Sequence, residues 1–133
     1  MGYGTDGLTF NTLRAANEAR LPEFKNKNGD AAHDVADGSD WSMNDWAVAM
    51  VGEAGEACNV LKKVRRGDIT MEEARPKLEM EFADVAIYLD LLAKRAGINL
   101  GEAVMKTFNA KSVQVGSRVR LAADDWHYER GDK

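Results

Sequence analysis

Two acid pairs share one spacing, Glu53-x-x-Glu56 and Glu81-x-x-Asp84. Residues three apart lie on one face of a helix, so each pair can direct two carboxylates the same way. Carboxylates at the edge of an apolar core are costly to hold ionised unless something compensates them. Neither motif contains a lysine, so four such groups together call for a cation. An all-oxygen ligand set suits Mg²⁺, with Mn²⁺ as a substitute, and the lack of Cys and His among the four argues against zinc. Di-iron centres in helical bundles use Glu-x-x-His, which neither pair provides. His33 and His127 fall in a loop and a tail and are expected to be ordinary surface residues. The plainer alternative for the acids is a solvated helix face carrying charge pairs. Gly52 and Gly55 favour a site, because glycine costs up to ~1 kcal/mol in a helix interior, and two beside the acids imply close approach of another helix or a ligand.

The elements that must carry these acids read as helices. No period-2 alternation is sustained, which leaves strands little support. A first helix is predicted over residues 8–20, ending near Pro22. Residues 25–40 hold Gly29, Gly38 and four aspartates with little to bury, and read as a mobile loop. Ser42, with Asp45 three residues on, opens a second helix whose apolar stripe is Met43, Trp46, Met50, Ala54, Ala57, Leu61 and Val64. Gly67-Asp68 stops it, after basic residues that complement the helix dipole. Thr70 and Glu73 cap a third helix running to about residue 96, with the stripe Leu78, Phe82, Val85, Leu89 and Leu92; Pro76 is expected to break it. Asn99 and Glu102 open a fourth helix to about residue 112, with Ala103, Val104 and Phe108 inward. Residues 115–133 read as a polar tail whose only sizeable anchor is Trp126 with Tyr128. Glu56 precedes Gly67 by 11 residues and Glu81 follows Asp68 by 13. At 1.5 Å per residue that mismatch is about 3 Å, so a hairpin of helices two and three brings the four acids to similar height.

The chain has 133 residues, 44% hydrophobic and 30% charged, which suits one soluble globular domain over 1–133. Cys58 is the single cysteine and cannot form an intrachain bridge, so a reducing cytoplasm is the expected compartment. A net charge of −4 gives no basic footprint for duplex nucleic acid. Charges interrupt every apolar run, so no membrane span is expected. Met1–Asp6 matches neither a secretion signal nor a myristoylation motif.

Val51-Gly52-Glu53-Ala54-Gly55-Glu56-Ala57, followed by Asn59 and Lys62-Lys63, then Glu81-Phe82-Ala83-Asp84-Val85, resembles the MazG-like all-α nucleoside triphosphate pyrophosphohydrolases, whose signature is ExxE followed by ExxD. The resemblance spans about residues 41–112. It implies a four-to-five-helix bundle completed by homo-oligomerisation, as a dimer or tetramer, with residues 24–40 a variable loop. It also implies Mg²⁺-dependent hydrolysis of (deoxy)nucleoside triphosphates to monophosphate and pyrophosphate, with Glu53, Glu56, Glu81 and Asp84 as metal ligands and Glu53 or Glu56 activating water. On the same basis Trp46 is a base contact, assisted by Trp41, Tyr88 a sugar contact, Lys106 and Asn109 phosphate and sugar contacts, Lys111 a further charge and Asn59 a nucleotide contact. Trp46 lies on the apolar stripe, and a core role stands beside the base contact. Arginines that continue the last helix in many relatives are missing after Lys111.

The lone-domain form and Trp-rich lead-in resemble phage-encoded members, among them the MazZ branch, which points to dGTP or GTP as substrate and to the host cytoplasm for a phage-encoded protein. The alternatives are a pyrimidine-specific (dCTP/dUTP) pyrophosphatase of the same fold, a phosphohydrolase releasing orthophosphate, and a non-catalytic helical oligomerisation or adaptor module.

Overall fold

A computed structural model of the chain describes residues 7–123 and 125–129. The N-terminal Met1–Asp6, read above for targeting signals, and the last residues of the polar tail lie outside the described residues. Four helices and a two-stranded hairpin make up the fold: α1 (Phe10–Arg20), α2 (Met43–Arg66), α3 (Met71–Arg95), α4 (Leu100–Gln114), β1 (Val119–Ala122) and β2 (Asp125–Tyr128). A 3₁₀ turn, Leu21–Glu23, follows α1 and takes in Pro22. The fold is therefore mostly helical, and the all-α expectation fails at the C-terminus.

Local chemistry sets the two long helices. Ser42 and Asp45 form a reciprocal capping box at the start of α2, as Thr70 and Glu73 do at the start of α3. Gly67 ends α2 at φ 81°, a left-handed conformation that side chains avoid, with the Asp68 N–H donating to the Lys63 carbonyl at 2.9 Å. The two helices pack side by side. At the hairpin end the seam is Ala57, Ala74 and Leu78, with Val60, Val64 and Ile69 against them; at the open end it is Leu21, Trp46 and Leu91, with Trp41, Ile87, Tyr88 and Leu92.

Pro76 does not break α3, which runs unbroken across it. Pro76 removes the N–H that would reach the Glu72 carbonyl, near an exposed helix start where water can take that acceptor. Ala74 and Leu78, one on either side, are both buried in the seam and hold the rod together.

The expected stripe on α3 is rotated. Phe82 is 55% exposed and Leu89 is exposed as well, whereas Glu81 is buried. Phe108 of α4 and Met43 and Leu61 of α2 are also exposed rather than inward.

The predicted tail carries β1 and β2, paired antiparallel with Leu121 opposite Trp126. The Asn109 side chain joins this hairpin to α4: its amide donates to the Leu121 carbonyl at 2.9 Å, and its oxygen accepts from the Leu121 N–H at 2.8 Å. Asn109 thus acts as a strand edge, a long-range pairing that no periodicity foretells.

A buried network ties α1 to α3. Asp90 accepts from Arg14 Nε at 3.0 Å and from Asn17 Nδ2 at 2.9 Å. Among the described residues no helix is long and apolar enough to cross a membrane.

Candidate functional site

Three of the four predicted acids meet. Glu53 from α2 and Glu81 and Asp84 from α3 each offer a carboxylate oxygen, all within 4.8 Å of one another. Glu56, one turn beyond Glu53, is exposed and is not one of this trio, though its charge is felt by both Glu53 and Lys77.

The deepest member is Glu81, 2% exposed. Its Oε1 accepts from Lys77 Nζ at 2.8 Å, and its Oε2 is buried without a hydrogen bond of good geometry. Lys77 was not anticipated. It lies outside the acid motifs but about one turn before Glu81, and i, i+4 Lys–Glu spacing is the signal that would have found it. The contact with Lys77 draws the Glu81 carboxyl below its ordinary pKa. Glu53 moves the other way, to about 7: a proton on it can be shared with Glu81, and burial and the charges of Glu81, Asp84 and Glu56 add to this.

This arrangement fits a hard divalent cation. Three carboxylates within reach of one another, with one Glu81 oxygen buried and unbonded, offer oxygen ligands only. One lysine does not balance the acids, and a raised Glu53 pKa is the mark of carboxylates crowded without their counter-charge.

An aromatic cluster adjoins the acids. The Trp41 and Trp46 ring centroids are 4.6 Å apart, and Trp46 lies 6.3 Å from Tyr88. The Tyr88 phenol is raised above its usual pKa by burial and then by the charges of Glu53 and Asp84, so it bridges the aromatic and acidic groups. Trp46 is 3% exposed and belongs to the core as the chain stands. His33 covers it, stacked at 5.4 Å and 22°. This corrects the expectation of a surface histidine, because the His33 side chain is only 6% exposed. His127, on β2, is exposed as expected.

The remaining predicted contacts are dispersed. Asn59 is exposed on α2. Lys106 is exposed on α4, and Lys111 reaches Gln114. Asn109 spends its amide on Leu121. Among the described residues α4 makes no close backbone approach to α2; it packs on β1, α1 and α3. Gly52 and Gly55 face open space, so no neighbour among the described residues accounts for them. A cleft of about 850 Å³ lies elsewhere, between the starts of α1 and α4 and the hairpin, and takes in none of the predicted site residues.

Comparison with protein-family models, curated proteins and solved structures yields no match.

Proposed function

We propose that the protein is a Mg²⁺-dependent nucleoside triphosphate pyrophosphohydrolase of the MazG-like type, with Glu53, Glu81 and Asp84 as the core of its cation site. The observation that carries this reading is the convergence of three carboxylates from α2 and α3, the deepest of which, Glu81, is buried with one oxygen lacking a hydrogen bond of good geometry. When bound, Mg²⁺ supplies neutralising charge for the phosphates and lowers the pKa of a water. Glu81 and Asp84 hold the cation from α3, and Glu53 holds it from α2. Glu56, exposed one turn on, completes the ligand set or orients the attacking water, a role open also to Glu53. The water attacks the α-phosphorus and pyrophosphate leaves. Tyr88 stands at the boundary between the acids and the aromatic cluster, which suits a residue between phosphates and base. Guanine is the favoured base, on the family resemblance alone.

A second copy of the chain is part of this proposal. Lys106 and Lys111 lie on a helix that packs on α3 but does not approach α2, which leaves the α2 side of the acids open to phosphate-binding cations from a second chain. Val48 and Val51 on α2 and Phe82 and Leu89 on α3 are exposed apolar side chains, and the open faces of Gly52 and Gly55 leave room for a helix from outside.

The test is incubation with Mg²⁺ and a panel of ribo- and deoxynucleoside triphosphates, with pyrophosphate separated from phosphate. Pyrophosphate release that EDTA abolishes, and that Glu53→Ala and Asp84→Ala remove without loss of helix content, is the expected result. Orthophosphate as product sinks the reaction assignment; no turnover of any nucleotide, with oligomerisation intact, favours the adaptor module.

A further inference from the structure

His33 is the one imidazole in the aromatic cluster of Trp41, Trp46 and Tyr88, and it is poorly satisfied there. It stacks on Trp46 at 5.4 Å and 22° and meets Trp41 edge-on at 5.0 Å and 61°. Its Nδ1 is buried without a hydrogen bond of good geometry; the nearest carboxylate oxygen, Asp40 Oδ1, is 3.4 Å away. Asp40 already accepts the Asp34 N–H through its other oxygen. An aliphatic side chain would fill this space without a stranded nitrogen, so packing alone does not account for an imidazole here. Local conflicts of this kind concentrate at functional positions.

The loop that carries His33 is tied before it by the Ala32 N–H, which donates to the Phe24 carbonyl at 2.8 Å, and after it by the Asp34 N–H to Asp40 Oδ2 at 3.1 Å and the Gly38 N–H to the Val35 carbonyl at 2.9 Å. Lys94 Nζ donates to the Asp37 carbonyl at 2.9 Å, and Arg95 Nε donates to the Trp41 carbonyl at 2.8 Å. Gly38, at φ 75°, lies so close to Leu21 that an added Cβ would fall 2.5 Å from Leu21 Cδ2. Residues 34–36 are exposed. Lys94 and Arg95 hold the Asp37–Trp41 end against α3, whereas the exposed residues 34–36 are held by the Asp34–Asp40 and Gly38–Val35 hydrogen bonds, and breaking those two releases His33.

We propose that His33 is a displaceable plug: its imidazole stands where the flat heteroaromatic ring of the substrate's base goes, against Trp41 and Trp46, and entry of the base expels it together with residues 34–36. An imidazole is the five-membered half of a purine, so the space the ring itself fills against Trp41 and Trp46 has the thickness and the indole faces a base needs. Tyr88 links the Trp46 ring to Glu53 and Asp84, which puts the acids on the side where the base's phosphates would lie. The inference rests on the nucleotide reading of the acid site and adds a gate to it.

Proton NMR tests it directly, because the chain has two histidines and therefore two sets of imidazole C–H signals. In the free protein one set, from His33, is shifted upfield by the indole rings. Saturation with α,β-methylene dGTP and Mg²⁺ is expected to return that set to the position of a free histidine, in step with the change in tryptophan fluorescence. His33→Ala is expected to bind the analogue more tightly, about tenfold if the free site is open one-tenth of the time. His33→Phe, which refills the space with a ring that leaves no nitrogen stranded, is expected to bind more weakly than wild type. His33 signals that stay upfield at saturation overturn the plug whatever the variants do, and an Ala variant that folds but binds no more tightly overturns it as well. Mn²⁺ binding measured without nucleotide separates the two readings. If Mn²⁺ binds and Glu81→Ala abolishes that binding while His33 stays put, the plug fails and the acid site stands; if neither Mn²⁺ nor the analogue binds, both fail.

Discussion

Lys77 Nζ lies 2.8 Å from Glu81 Oε1, one turn upstream on α3, and it serves only that one oxygen. The pair is asymmetric: Lys77 is half in solvent while Glu81 is buried. Lys77 therefore compensates part of the acid cluster and competes with any cation for the rest.

Removing that ammonium separates the two effects. Lys77→Met leaves a buried carboxylate unpaired and is expected to lower metal-free stability, with the solvent exposure of Lys77 keeping the loss below that of a fully buried pair. The same change removes a positive charge beside the site and should tighten Mn²⁺ binding. Urea unfolding with EDTA and with saturating Mn²⁺ measures both. Equal urea midpoints for wild type and variant in EDTA would show that Glu81 does not depend on Lys77.

The Glu53 carboxyl predicts a pH dependence with a definite sign. An ordinary glutamate titrates near 4.5, and Glu53 is held at about 7 in the fold. The folded state thus binds this proton more strongly than the unfolded chain, so the associated stability is fully present below 4.5 and is lost as pH rises through about 7. In EDTA the urea midpoint should fall from pH 5 to pH 8 through this group. Mg²⁺ replaces the proton as the compensating charge and should reverse most of the fall at pH 8, with proton release on binding visible by calorimetry in buffers of different ionisation enthalpy.

What was legible beforehand was local. The Ser42–Asp45 and Thr70–Glu73 boxes and the Gly67 stop each lie within a few residues of the helix end they define, and the equal spacing of the two acid pairs survived into a shared cluster because the hairpin between them is short. What was hidden depended on distant partners. Phe82 fits an apolar stripe by periodicity, yet Glu81 takes the buried place beside it because Lys77 and Glu53 meet it there. His33 sits in an aspartate-rich segment that looks solvated until Trp41 and Trp46 are brought beneath it. The C-terminal strands are four residues each, too short for alternation to declare them.

Asn109 is expected to matter for stability. Asn109→Ala removes both hydrogen bonds to Leu121 and leaves a half-buried backbone N–H and carbonyl without partners, a loss of about 2 kcal/mol. Amide exchange at Leu121 should accelerate far more than exchange within α2 or α3. Asn109→Asp keeps the acceptor and loses the donor, so it should recover part of the protection. Faster exchange spread evenly over the molecule would instead mean that α4 and the hairpin are not a separable unit.

Asp90 makes the sharpest claim about stability, because it is 1% exposed and its two oxygens are divided between Arg14 and Asn17. Arg14 also reaches the Ile98 carbonyl at 3.0 Å, so one guanidinium gathers α1, α3 and the turn before α4. Asp90→Ala strands a largely buried cation and a buried amide together and is expected to cost about 3 kcal/mol. Replacing the whole triad, Arg14→Met with Asn17→Leu and Asp90→Leu, removes the stranded groups and should regain much of that loss. The acid cluster belongs to the α2–α3 seam, and neither α1 nor the Asp90 network supplies a ligand to it. Mn²⁺ affinity should therefore stay close to wild type in the triple variant even where the urea midpoint falls. A matched loss of metal affinity and stability would show instead that α1 sets the position of Glu81 and Asp84 through α3, making the triad part of the site's support.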